Sequence, residues 1–371
     1  MPGGDVFQEA ERQLTVCNAC RYCEGYCAVF PSLELRQTFR PGDITYLANL
    51  CHDCRGCYYA CMYAPPHEFA VNIPKVFAEV RRASYGRYTW PRGCARVFAG
   101  ASAAALGAAG AVVLVLLLAV LLADPARLLE AHRGPGAFYQ IVPYWVMVGS
   151  GLVLCCYWAS VWAAGGLGAW REMGGRAGAV GLRAVAGAAW DALVVRWLRG
   201  GGPGCPYPDE RPSHTRAVLH ALVVCGFLAA VASTTLAAIY QDALDRMPPY
   251  PLLSAPVVLG TLGGCAMIVG TAGMLVAKVR SDRTPASETM VGMDYAFAIT
   301  IGLASLSGLM TLALRATHVM GPVLVIHLGI VAALFVTAPY GKFVHAVYRF
   351  LALVQYRLEQ HSAGFGEGPH G

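Results

Sequence analysis

Apolar residues gather along this chain in long runs that are hydrophobic all round, the pattern of a helix buried on every side. A bilayer core about 30 Å thick takes roughly 20 such residues, and six runs qualify: Ala101–Ala123, Val142–Ala164, Ala217–Tyr240, Leu253–Ala277, Tyr295–Leu314 and Ala316–Gly341. The last two are parted only by Arg315 to Pro322, which predicts a tight hairpin with Gly321 and Pro322 near its turn. Residues 1–96 read differently. In GDITYLANLC, Asp43 is placed to cap a helix whose one face carries Ile44, Leu47 and Leu50. The expected fold is all-α. A helical N-terminal domain over 1–96 precedes a six-helix transmembrane bundle over 97–361, with an inner loop at 165–216. Residues 362–371 (the SAGFGEGPHG end) are expected to be disordered.

Composition sharpens this division. The chain is 371 residues long, 56% hydrophobic and only 13% charged, about half the charge of a soluble protein. No basic region followed by an apolar core opens the chain, so the head is expected to stay in the compartment where it is made. With the head inside, six spans leave 24 Lys and Arg on the inner side. Only Arg127, Arg133, Arg246 and Arg315 fall outside. Positive charge collects on the cytoplasmic side, so both termini are expected there, in a bacterial inner membrane. The net charge of +6 then reflects topology and implies no nucleic acid partner. Trp170–Leu198, with Arg171, Arg176, Arg183 and Arg196 among apolar residues, fits an interfacial or short surface helix. GGGPGCPYPDERP at 200–212 is a turn-rich linker.

Eight of the fourteen cysteines lie in two stretches of the head, CNACRYCEGYC (Cys17 to Cys27) and CHDCRGCYYAC (Cys51 to Cys61). Each reads C-x2-C-x2-C-x3-C. In two-cluster ferredoxins three cysteines of such a run hold one [4Fe–4S] cluster and the fourth ligates the other. One cluster would therefore take Cys17, Cys20, Cys23 and Cys61, and the second Cys51, Cys54, Cys57 and Cys27. Structural zinc prefers separated C-x2-C pairs, and a reducing compartment argues against disulfides. The Pro that follows the fourth cysteine in bacterial ferredoxins is absent: Ala28 and Met62 stand there. A helical two-cluster domain, like that of succinate dehydrogenase iron–sulfur subunits, suits the helix between the motifs. Cys94, Cys155, Cys156, Cys205, Cys225 and Cys265 have no ligand spacing.

Ionisable residues within spans are uncommon and usually functional. Here they are His220, His327 and His345, with His318 at the outer end of the fifth span. His327 and His345 lie 18 residues apart, five helical turns and about 27 Å if one helix carries both. Topology pairs His220 with His345 on the inner side as axial ligands of a haem b. An outer pair, His318 with His327, is conceivable for a second. His214 is a weaker alternative to His220. His52, His67, His132, His361 and His370 read as solvated or local-turn residues, and no C-x-x-C-H occurs for covalent haem.

The order of these parts is familiar. CNACRYCEGYC, CHDCRGCYYAC, GGGPGCPYPDERP and the closing GKFVHAVYRFLALVQYRLE together resemble the tricarballylate (or citrate) utilisation protein B family over nearly the whole chain. That resemblance implies a membrane protein with two [4Fe–4S] clusters and haem. It would reoxidise a partner FAD-dependent dehydrogenase, tricarballylate dehydrogenase, and pass electrons to the quinone pool. It does not imply a citrate carrier. The residues agree on the reaction type, since clusters and haem move single electrons between two-electron flavin and quinone. No substrate-site motif is present, so the organic chemistry would lie in another chain. Two other readings stand beside this one. A heterodisulfide-reductase-like or succinate-dehydrogenase-like complex changes the partner. A redox-sensing transporter would need broken, charged spans, whereas the mid-span residues are Ala, Gly, Leu and Val.

Overall fold

The structure, a computed structural model, describes residues 3–92, 127–175 and 180–362, with isolated positions between 107 and 122. The first predicted span, Ala101–Ala123, and the tail beyond 362 therefore lie mostly outside the described residues. The described chain is all-α apart from a two-residue antiparallel pair, β1 (Cys205–Pro206) with β2 (Pro212–Ser213).

Five helices build the head: α1 (Gly3–Cys20), α2 (Val29–Glu34), α3 (Pro41–Leu50), α4 (Gly56–Tyr59) and α5 (Ile73–Tyr88). Every residue of α3 from Ile44 to Leu50 is buried, so the helix between the cysteine motifs forms the middle of the head. Its start differs from expectation. Asp43 does not occupy the cap but the third helical position, reaching back to accept the Arg40 backbone N–H at 3.1 Å. Pro41 opens the helix, where its missing N–H costs nothing.

Beyond the head run α6 (Tyr144–Glu172), α7 (Leu182–Leu193), α8 (Thr215–Asp242), α9 (Ala255–Arg280), α10 (Glu288–Ala313), α11 (Met320–Thr337) and α12 (His345–Ser362). Among the described residues five segments are long and apolar enough to cross a membrane: α6, α8, α9, Met290–Ala313 in α10, and α11 with the short turn to Tyr340. Their outward faces carry exposed Leu152, Val153, Val231, Leu262, Val269 and Leu303. An apolar surface of that extent calls for lipid or a partner. The α8–α9 contact shows how these helices approach. A Cβ at Gly226 would stand 2.7 Å from the Gly263 carbonyl oxygen, and one at Gly263 would stand 2.7 Å from the Gly226 oxygen. Small residues permit such backbone contact where no hydrophobic force drives association.

Three expectations about this half need correction. Gly321 and Pro322 lie inside the first turn of α11, and the connection from α10 is made by 314–319 instead. Pro at a helix start gives up no internal hydrogen bond. The long basic segment 170–198 is not one helix: α6 extends to Glu172 and α7 begins at Leu182. α7 does keep an interfacial character, with Leu182 and Trp190 exposed while Ala184, Ala188 and Asp191 are buried. Finally, His327 and His345 do not share a helix. α11 ends at Thr337, two short 3-10 turns follow, and α12 starts at His345. Pro339 and Gly341 fall in this break, because Pro removes a helical hydrogen bond and Gly supplies extended backbone.

The C-terminal helix returns to the head. Leu353, Val354 and Tyr356 of α12 join Leu14, Phe30, Leu47 and Phe77 in one hydrophobic core. Arg36 pairs with Glu359 at 2.6 Å and with Asp43 at 2.8 Å, and the Tyr46 hydroxyl donates to Glu359 at 2.9 Å. On its other flank Arg357 grips the fully buried Asp191 of α7 with two bonds of 2.9 and 2.7 Å.

Candidate functional site

The eight motif cysteines lie close together on the head, their positions set by α1, α4 and the loops beside α3. One cavity is lined by Cys17, Cys20, Cys23, Cys57 and Cys61, a second by Cys27, Cys51, Cys54 and Cys57. The electrostatic neighbours sort the same way. Cys17 feels Cys61, Cys23 and Cys20, whereas Cys27 feels Cys54 and Cys51 most strongly. Each motif thus places its fourth cysteine, Cys27 or Cys61, beside the other motif's first three. Burial pushes the Cys17 and Cys23 thiols up to about 12 and raises those of Cys27, Cys51, Cys57 and Cys61 as well. Iron would reverse that preference, since ligation requires the thiolate. No three His, Cys, Asp or Glu side chains among the described residues converge tightly enough for a single metal ion.

Backbone geometry shapes these loops. Arg21, Asp53 and Arg55 adopt left-handed conformations at φ 55°, 54° and 65°, each within or just after a motif where the chain must turn around the thiols. The Asp53 N–H donates to the Cys51 sulfur at 3.4 Å, a bond that would favour the thiolate.

Cys205 belongs here as well. Sequence spacing gave it no role, yet it is fully buried, donates to the Leu198 carbonyl at 3.0 Å and hydrogen-bonds the Cys54 thiol. The linker between α7 and α8 is therefore packed onto the second cysteine set. Its membership of GGGPGCPYPDERP, one of the segments carrying the family resemblance, was the available signal. Arg55 and Arg216 stack on the two sides of this contact, each 4.8 Å from the Tyr207 ring.

The histidines divide unevenly. His345 starts α12, and its Nδ1 lies 2.5 Å from the Lys342 carbonyl, leaving Nε2 uncommitted. Burial, then the Arg349 and Lys342 charges, push it well below the usual imidazole value, and His220 is near enough to add to the effect. The His220 Nδ1 is buried without a hydrogen-bond partner among the described residues. A neutral imidazole with a free nitrogen next to a second, unpartnered one fits a pair of axial haem ligands. His52 is a local-turn residue: half-buried, it places Nδ1 2.7 Å from the Leu50 carbonyl two residues back, and burial followed by the Arg349 charge pushes it well down. It lines the second cavity and has His220 among its neighbours.

The outer histidines are not brought together. His318 is exposed in the turn before α11. His327 bonds the Ser307 hydroxyl at 3.0 Å, and a Cβ on Gly308 would meet its ring at 3.0 Å, so the imidazole fills the α10–α11 seam. His214 is exposed at the start of α8, and His67 bonds the Phe69 N–H within its own turn. His132 is buried against Gln140, a local contact but not a solvated one. His361 is exposed near the end of α12, and His370 lies outside the described residues.

The seam between head and helices is dense with charge that the sequence reading used only for topology. Arg216 pairs with Asp53 at 3.5 Å, while Lys278 and Lys342 hold Asp294 at 2.6 and 2.8 Å. Arg55 donates to the Asp282 carbonyl at 2.8 Å, and the Tyr59 hydroxyl reaches the Asp282 carboxylate at 3.1 Å. The cysteine loops are thus tied to the connections on one side of the apolar helices.

Comparison with known proteins agrees with this architecture. The sequence pattern of Citrate utilization protein B matches residues 98–366, and that of the Citrate utilization protein B Fer4-like domain matches residues 10–87. The chain belongs to the Citrate utilization protein B family. An Escherichia coli protein bearing that name is 42% identical over 360 residues, covering 95% of this chain and 92% of its own length. No solved structure matches the chain. The Fer4-like match encloses all eight motif cysteines, and the longer match begins where the head's described helices end and takes in His220, His327 and His345. Family membership supports a part in citrate or tricarballylate utilisation and a redox role.

Proposed function

We propose that this chain is a membrane electron-transfer protein, the oxidoreductase subunit that carries electrons from a flavoprotein dehydrogenase to quinone. The observation that carries the reading is the sorting of eight cysteines, Cys51 and Cys54 buried and the other six half-buried, into two exchanged sets of four, beside two histidines with free ring nitrogens at the head–membrane seam. Cys17, Cys20, Cys23 and Cys61 would hold one [4Fe–4S] cluster, and Cys51, Cys54, Cys57 and Cys27 the other. His220 and His345 would hold a haem b. These groups, when bound, supply the one-electron steps that separate two-electron flavin chemistry from two-electron quinone chemistry.

The chain's own residues do the positioning. α3 and α5 pack behind the cysteine loops, and α12 returns from the last apolar helix to brace them. The set around Cys61 lies beside exposed Tyr22 and Met62, so it is the one open to a docking partner. The set around Cys51 lies toward the seam. Electrons would therefore enter at Cys17–Cys23 with Cys61 and leave by way of the second set toward the membrane. The resemblance assigns the partner as an FAD-dependent, tricarballylate-dehydrogenase-like enzyme, and the acceptor as the quinone of a bacterial inner membrane, with both termini cytoplasmic.

The test is chemical analysis of the purified chain. About eight non-haem irons with matching acid-labile sulfide, plus a reducible b-type haem band, are expected. Zinc without sulfide would overturn the reading. Affinity capture from the native host should recover a flavoprotein whose reduced flavin is reoxidised by the chain in the presence of a quinone analogue.

A further inference from the structure

Two guanidiniums, one buried and one half-buried, converge on one backbone carbonyl beside the second cysteine set. Arg81 of α5 is 4% exposed and donates to the Ala48 carbonyl at 2.7 Å and the Cys51 carbonyl at 3.3 Å. Arg349 of α12 donates to the same Cys51 carbonyl at 2.7 Å and to the Asn49 carbonyl at 3.4 Å. These two residues come from opposite ends of the chain, and Arg349 lies beyond the last apolar helix.

Neither has a carboxylate partner among the described residues. Asp53 is taken by Arg216, and Asp294 is shared by Lys278 and Lys342. Glu359 and Asp191, the other acids facing α12, are held by Arg36 and Arg357. Two unpaired charges placed side by side out of water should be strongly unfavourable. Arginine stays charged at neutral pH in proteins, so neither group can escape the repulsion by losing its proton. Something anionic at Cys51 is what this arrangement lacks.

A [4Fe–4S] cluster held by four thiolates is such an anion, and reduction makes it more negative by one unit. We propose that Arg81 and Arg349 are the built-in counter-charge of the cluster bound by Cys51, Cys54, Cys57 and Cys27, and that they raise its reduction potential above that of the other cluster. This inference rests on the cluster assignment made above and concerns the chain's own cations rather than the ligands. Among the described residues the arginine lining the other cavity, Arg21, is exposed, whereas Arg55 of this cavity is 4% exposed and Arg81 and Arg349 stand behind Cys51. The asymmetry gives direction to the wire. One electron delivered by a reduced flavin to the cluster near Tyr22 and Met62 moves downhill to the cluster at the seam, which is reduced as the first is reoxidised. Cluster net charge and nearby hydrogen bonds are known levers on such potentials.

Arg349→Gln and Arg81→Gln keep a polar side chain and remove the charge, while Arg349→Lys and Arg81→Lys keep the charge and lose the planar fork. The full-length protein in detergent would be titrated anaerobically, with cluster reduction followed by electron paramagnetic resonance. Each Gln variant should lower the midpoint of one cluster by about 59 mV or more, a tenfold change in a one-electron equilibrium. The other cluster should be unmoved, and the Lys variants should stay near wild type. Loss of that one cluster in the Gln variants with retention in the Lys variants would support the same role. Unchanged midpoints in both Gln variants, equal shifts in both clusters, or Lys variants that behave like Gln would overturn it, showing the arginines to be carbonyl braces. Wild-type protein without cluster signals would instead defeat the cluster assignment itself.

Discussion

Single side chains carry most of the chemistry here, and their positions make separable predictions. Cys61 sits with Cys17, Cys20 and Cys23 of the other motif. Cys61→Ser should therefore weaken or abolish the cluster of the first motif, and Cys27→Ser that of the second. Iron content and low-temperature paramagnetic spectra of the two variants should be complementary, and a reversal would restore independent sites. At the histidines, the Nδ1 of His345 is bound to a backbone carbonyl and that of His220 has no partner. Replacing either by Leu should remove the haem band while both clusters remain. His327→Leu should leave that band, because its ring is already engaged by Ser307 and packed on Gly308. The cysteine repeat was legible in the sequence because its spacing is local, and the nearness of His220 to His345 followed from placing both at the inner ends of their helices. Cys205, Arg81 and Arg349 were not legible there. Their roles depend on what the fold lays beside them, and nothing in their own neighbourhood announces it.

Among the elements, α12 is the most informative. Its sequence, HAVYRFLALVQYRLEQHS, reads as the fringe of a membrane span, yet the helix inserts Tyr348, Leu353 and Tyr356 into the core of the head. The Arg36–Glu359 pair is mostly shielded, with side-chain exposures of 12% and 16%. Glu359→Ala would leave Arg36 with Asp43 as its one acidic partner and the Tyr46 hydroxyl with only the Ser32 hydroxyl. Breaking a buried pair typically costs about 3 kcal/mol. The variant should lower the apparent melting temperature in detergent and expose the C-terminal helix to limited proteolysis. The α8–α9 pair makes a second prediction. Val at Gly263 would force apart backbones that touch at Gly226, so Gly263→Val should yield little monodisperse protein on size-exclusion chromatography. A substitution at exposed Val269 should be tolerated.

At the scale of the molecule, the head is fastened to one side of the apolar helices by contacts from both ends of the chain. Arg55 and Tyr59 reach Asp282, Asn72 donates to the Thr284 carbonyl at 3.0 Å, and Arg216 meets Asp53. All of these belong to segments that the charge distribution assigns to the inner face. Alkaline phosphatase fused after Arg246 should accordingly be active outside the cytoplasm. A fluorescent protein fused at the C-terminus should light up inside, and the opposite pair of results would invert the topology. Removing the clusters should also be felt widely, because two interlocked ligand sets would tie α1, α3 and α4 together. Iron chelation under reducing conditions should loosen the whole head rather than one loop.

The sequence by itself determined the division into a cysteine-rich helical head and apolar helices, the ligand repeat and the family. Each of these is written in local spacing or in runs of one polarity. Tertiary structure decided which cysteines face each other and where α11 breaks before His345. It also turned α12 back to the head and brought Arg81 and Arg349 to the same carbonyl of Cys51. Those features join residues up to 323 positions apart, and no local pattern encodes such pairings. They exist because packing the apolar helices carries the C-terminal segment back beside the head, where buried charge and shape select its place.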